Sequence, residues 1–170
     1  MIYCESRSDK EIVNELEGET RVFLLGCPVC ANMSLNIQKA PDRSPVLTLT
    51  PTGFKAVSMR EEVGRLTHLL NRKGLDVDSW VGKYPIVALC IPDDRNRRKI
   101  LRKCRDFATV ITLCCNAGKK SVEGMLPGRR VIAGMNARGI VNGLLKSKMA
   151  YTKLYIEKKS VNITPFTFDT

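Results

Sequence analysis

Cys27 and Cys30 stand three positions apart in the stretch RVFLLGCPVCANMS, Arg21 to Ser34, behind an apolar run and across a proline. That spacing lets the chain turn and aim two sulfurs at one ion. A tetrahedral zinc holds its thiolates at about 2.3 Å, and a cubane iron–sulfur cluster takes four thiolates, one per iron. Further ligands must come from elsewhere. Cys90 ends the apolar run PIVALC, and Cys114 and Cys115 follow TVITL. Cys27 and Cys30 would supply two ligands and Cys90 and Cys114 or Cys115 the other two, and the expected set is Cys27, Cys30, Cys90 and Cys115. Two other uses of the thiols compete with it. Cysteine packs well as a small buried hydrophobe. A thioredoxin-type redox pair would need the motif to open a helix, and Asn32, Ser34, Asn36 and Pro41 argue against a long helix here. Cys104, on an inward helical face, reads as core, and Cys4 as incidental.

The stretch CCNAGKKS, Cys114 to Ser121, is a second focus. Gly118 at a helix start, with Lys119 beside it, could receive a phosphate or carboxylate on free backbone amides. It is not a P-loop: Leu113 stands five positions before Gly118, and Lys120 occupies the Ser/Thr position. The sole histidine, His68, has no nucleophile beside it in sequence and reads as a surface or packing residue.

The elements that must carry these residues follow from periodicity. Fully apolar or β-branched runs over 21–26, 46–50, 85–90, 109–113 and 130–133 predict five strands. Ser8 and Glu11 predict a capped helix to residue 17, and Ser58 and Glu61 a second one closed by Gly74. Asp93 or Asp94 caps a basic helix with Ile100, Leu101, Cys104 and Phe107 inward, and another helix runs to about Leu126. Residues 34–45 read as a loop. Ile140, Val141, Leu144, Leu145 and Met149 suggest a last helix. Strands alternating with helices, without polar alternation in the strands, predict an α/β three-layer sandwich. It would be Rossmann-like or flavodoxin-like, with a mostly parallel sheet of about five strands. Residues 1–150 form one domain on this reading, and 151–170 a basic tail able to form an edge hairpin. Ligands of such sheets gather beyond the carboxyl ends of the strands, where neighbours lie about 4.8 Å apart. Cys27, Cys90 and Cys115 would meet there.

Bulk composition narrows the classes. The chain has 170 residues, seven of them cysteines, an odd number. No apolar run reaches the roughly 20 residues of a membrane helix, and the N-terminus lacks a signal-peptide core. A cytoplasmic protein with free or metal-bound thiols is expected rather than a disulfide framework. The net charge of +11, from 28 Lys and Arg against 17 Asp and Glu, favours an anionic partner. The basic stretch 95–105 has only the inward Phe107 for company. It lacks stacking platforms for single strands and reads as a solvated face, so nucleic acid is not favoured.

Two segments, DKEIVNELEGETRVFLLGCPVCANMS and VITLCCNAGKKSVEGMLPGRRVIAGMNARG, resemble the methylenetetrahydrofolate reductase C-terminal family, the small cysteine-rich subunit of the acetogen-type enzyme. Gly26, Cys27 and Cys30 match its first motif, Cys115 and Gly118 its second, and Val131 to Asn136 its third. The resemblance spans roughly residues 1 to 138. Ser34 stands where the family usually has another cysteine, and Asn116 replaces a glycine. The resemblance implies an accessory subunit that carries iron–sulfur centres and passes electrons to a flavin-containing barrel partner.

The expected function is thus a metal-binding accessory or electron-transfer subunit in folate-linked one-carbon or methyl-transfer metabolism, holding a [4Fe–4S] cluster or zinc. Its partner would be a flavin-containing reductase or a methyltransferase subunit, and an accessory subunit of an oxidoreductase is favoured over a catalyst acting alone. The competing readings are a non-metal module binding an anionic small molecule at Gly118 and Lys119, and a basic nucleic-acid-binding protein.

Overall fold

The computed structural model describes residues 1–39, 44–84, 88–148 and 152–167. Its centre is a parallel sheet of four strands in the order β5-β2-β7-β8. The elements in chain order are β1 (Ile2–Ser6), α1 (Asp9–Glu15), β2 (Arg21–Gly26), α2 (Cys30–Lys39), β3 (Leu47–Thr50), β4 (Gly53–Ala56), α3 (Val57–Arg72) and β5 (Asp76–Val81). There follow β6 (Lys83–Tyr84), α4 (Asp94–Cys104), β7 (Thr109–Leu113), α5 (Asn116–Met125), β8 (Arg130–Ala133), β9 (Met135–Asn142), β10 (Leu145–Lys148), β11 (Lys153–Ile156) and β12 (Asn162–Pro165).

The parallel sheet is one of three, which corrects the expectation of a single mostly parallel sandwich. β1, β9 and β12 form an antiparallel sheet, and β10-β11-β3-β4-β6 form another. The run 46–50 does not join the parallel sheet. It folds back on β4 through a tight turn whose Gly53 has φ of 112°, a conformation that glycine adopts without steric cost. The parallel strand beside β2 is instead β5, DVDSWV, an edge strand with alternating exposure whose polar positions hid it from a search for apolar runs. Of the expected strand 85–90, residues 85–87 lie outside the described residues, and Leu89 and Cys90 form a turn.

Other expectations hold. Ser8 and Glu11 cap α1 reciprocally, and Asp93 caps α4 by accepting from the Asn96 amide. The helix expected after Ser58 is α3, but Ser58 lies inside it, where its hydroxyl accepts from Asn36 Nδ2. The expected last helix over 140–149 is absent among the described residues. Val141 is buried and Ile140 and Asn142 are exposed, the period-2 pattern of a strand. The tail strands pair into different sheets: β11 with β10 and β3, β12 with β9.

The main core fills both sides of the parallel sheet with Phe23, Leu24, Leu25, Ile111, Leu113, Met59, Leu66 and Ile100, all fully buried. α3 packs over β5 and β2, and α5 over β8 and β7. α2 lies between β1 and α3, which explains its buried polar residues. Asn32 donates to the Val46 carbonyl and accepts from the Met59 amide, both at 2.9 Å, so it ties three elements together. A smaller apolar cluster of Met33, Val46, Leu47 and Ile156 joins α2 to the five-stranded sheet.

Candidate thiol site

β2 and β7 are direct neighbours, and both run out at the same edge. The Cys27 amide continues the ladder by donating to the Leu113 carbonyl at 3.0 Å. Cys27 therefore leaves the sheet beside Cys114 and Cys115. Cys115 is the N-cap residue of α5, and Cys30 opens α2. The helix after the C-x-x-C motif thus exists, against the expectation of a loop over 34–45. Cys27 is buried, unlike the partly exposed thiol of a reactive redox pair. Burial pushes its thiol up to about 12, although hydrogen bonds from the Leu89 and Val29 backbone pull the other way.

Those hydrogen bonds set the Leu89–Cys90 turn beside the Cys27 sulfur. Cys90 arrives by a turn rather than at a strand end and is exposed. Partial burial, then the Cys115 sulfur, then Cys30, push its thiol upward.

The antiparallel sheet brings a further thiol. Arg7, just past β1, donates its amide to Gly134 and its guanidinium to Ala133, each at 3.0 Å, at the carboxyl end of β8. β1 is thereby held over the carboxyl edge of the parallel sheet. Within it, the Cys4 amide donates to Ser34 Oγ at 3.0 Å, and Ser34 Oγ donates to the Cys30 carbonyl at 2.9 Å. Cys4 pairs with Ala137 of β9, and Ala137, Ile2 and Cys115 line one apolar hollow of about 270 Å³. Burial pushes the Cys4 thiol up to about 12, with repulsion from Cys115, Cys30 and Cys27 adding to it. Sequence reasoning gave Cys4 no role, because β1 is placed by pairing with a strand more than 130 positions away.

Cys27, Cys30, Cys90 and Cys115, and with them Cys4, therefore gather at one rim. Cys114 is buried beside them with Gly118 packed on its sulfur, and burial, then Cys27, Cys115 and Cys4, push its thiol well up. Cys104 is buried far along α4, as expected of a core residue. Among the described residues, no three Cys, His, Asp or Glu side chains stand close enough to hold a metal ion. The donors fit a thiolate-loving metal in kind and in number. They are not drawn together to ligating distance.

The anion reading of CCNAGKKS finds less support. Gly118 is buried against Cys114 and Leu89, so its lack of a side chain serves close packing. Lys119 and Lys120 both pair with Glu123 along their own helix. His68 is exposed on α3. No described helix is long and apolar enough to cross a membrane.

None of the family models, curated proteins or solved structures compared with the chain matches it.

Proposed function

We propose that this chain is a cytoplasmic metal-binding accessory subunit whose rim thiols hold one [4Fe–4S] cluster or one zinc ion. What supports this reading is that β1, the β2–α2 turn, the 89–90 turn and the start of α5 each bring a thiol to the carboxyl edge of the parallel sheet. Cys27, Cys30 and Cys115 are the ligands common to every arrangement, and Cys90 or Cys4 supplies the fourth. Bound metal would take thiolates, so loading releases protons from sulfurs that burial otherwise keeps protonated. The Leu89 and Val29 hydrogen bonds to Cys27 favour its charged form and would raise the reduction potential of a bound cluster above what burial alone would set. Electron transfer to a flavin-containing reductase or methyltransferase subunit, in folate-linked one-carbon chemistry, rests on the motif resemblance around Cys27, Cys30 and Cys115.

Anaerobic purification followed by iron, sulfide and zinc analysis tests the reading. Near-stoichiometric metal that is lost in Cys27→Ser and retained in Cys104→Ser supports it. Metal far below one equivalent, before and after reconstitution, overturns it.

A further inference from the structure

The four-stranded sheet has a second feature at its carboxyl edge, on the side away from the thiols' central strands. β5 ends at Val81, and the chain there borders a cleft of about 480 Å³ walled by Arg60, Lys83, Arg95 and Lys99. Clefts of this size suit small molecules. The four cations come from four places: α3, β6, and two turns of the exposed face of α4. Asp93 is the one carboxylate on the wall, and it is occupied as the cap of α4, accepting from the Asn96 amide at 2.7 Å and from Asn96 Nδ2 at 3.0 Å.

Among the described residues, none of the four cations has a carboxylate partner. Arg60 donates Nη2 to the Val81 carbonyl at 3.3 Å, which fixes the guanidinium at the end of β5. Its Nε is shut off from solvent and has no hydrogen-bond partner among the described residues. Among the described residues, Lys83 reaches the Thr52 hydroxyl. Lys99 lies 5.1 Å over the Trp80 ring, which holds its ammonium on the cleft wall rather than out in water. A neighbouring cleft of about 420 Å³ shares Arg95 and Lys99 and adds Arg98 and Arg102. Uncompensated like charges held this close repel one another, and an anion with several charged oxygens relieves that repulsion while satisfying their donors.

We infer that the cleft between the end of β5 and α4 binds a small polyanion bearing two or more phosphoryl groups, with Arg60, Lys83, Arg95 and Lys99 as its ligands. A cleft of this volume favours a compact ligand over a nucleic-acid backbone, and among the described residues its one aromatic ring, Trp80, is covered by Lys99. This site is separate from the thiols and does not depend on their loading.

The test is calorimetric titration of the full chain with inorganic tripolyphosphate at physiological ionic strength, with metal content recorded in parallel. One saturable equivalent is expected, weakened about tenfold or more by Arg60→Gln and again by Lys99→Gln. Arg72→Gln, on the exposed end of α3, should leave affinity unchanged. Arg95→Gln, expected to weaken binding likewise, guards against a folding artefact, since Arg95 is exposed on α4. Non-saturable heat, or equal weakening by Arg72→Gln, overturns the site. Binding confined to RNA or duplex DNA, with none to tripolyphosphate, overturns the small-ligand assignment.

Discussion

The amide of Cys4 donates to Ser34 Oγ, and the same hydroxyl donates to the carbonyl of Cys30, so one side chain couples the first strand to the helix of the C-x-x-C motif. Ser34 is fully buried, and replacing it with alanine leaves the Cys4 amide without a partner. We expect Ser34→Ala to cost about 1–3 kcal/mol, read as a lower urea midpoint. Metal retention should fall with it, because Cys4 and Cys30 lose their shared anchor. Unchanged stability would show that the hydroxyl is not bridging them.

Arg65 grips Asp9 of α1 through two hydrogen bonds of 2.8 Å and the buried Glu62 of its own helix at 2.8 and 3.2 Å. Glu62 is only 5% exposed, and its other cation, Lys39, is 3.9 Å away. Arg65→Ala leaves a buried carboxylate poorly compensated and unties α1 from α3. A loss of about 2 kcal/mol is expected. Arg65→Lys should recover only part of it, since an ammonium cannot reproduce the forked geometry. Chemical denaturation of the two variants checks this.

Gly139 decides between a strand and a helix for the segment after β8. A Cβ there would stand 2.2 Å from the Thr164 carbonyl oxygen, inside the pairing of β9 with β12. Gly139→Ala should therefore cost about 1–3 kcal/mol through overpacking against backbone. In a helix the same change would stabilise, because alanine has the higher helix propensity. The sign of the change in melting temperature separates the two.

Burial pushes the Cys104 thiol from its ordinary value near 9 up to about 12, with Arg129 and Lys103 opposing and Asp78 adding. Between those values the folded chain keeps this proton and the unfolded chain loses it. The stabilisation is complete below pH 9 and disappears as pH rises towards 12. Unfolding midpoints measured from pH 8 to 11 should fall more steeply in the natural sequence than in Cys104→Ala. Parallel slopes would contradict this.

Much of the site was legible because parallel strands announce themselves. Arg21–Gly26, Thr109–Leu113 and Arg130–Ala133 are apolar or β-branched runs, so Cys27 and Cys115 could be placed at one edge. Three elements escaped for different physical reasons. β5 lies at the sheet's edge and alternates Asp and Ser with Val and Trp. α2 buries Asn32, Ser34 and Asn36 because it is wedged between β1 and α3, and each donates hydrogen bonds that no local pattern reveals. Ile140, Val141, Leu144 and Leu145 fit a helical stripe, but β1 and β12 claim residues 139–142 for a strand. Cys90 was expected at a strand end and comes to the rim on a turn. Cys4 was invisible because its position depends on long-range pairing with β9.

The central claim is that separated thiols share one metal at the rim of the parallel sheet. The most direct measurement is the absorption spectrum and metal content of anaerobically purified protein, alongside Cys4→Ser, Cys90→Ser and Cys104→Ser. The account predicts about four irons with a broad band near ~400 nm, or about one colourless zinc. It predicts loss in Cys4→Ser or Cys90→Ser and no loss in Cys104→Ser. Neither iron nor zinc near stoichiometry, with all three variants alike, would contradict it.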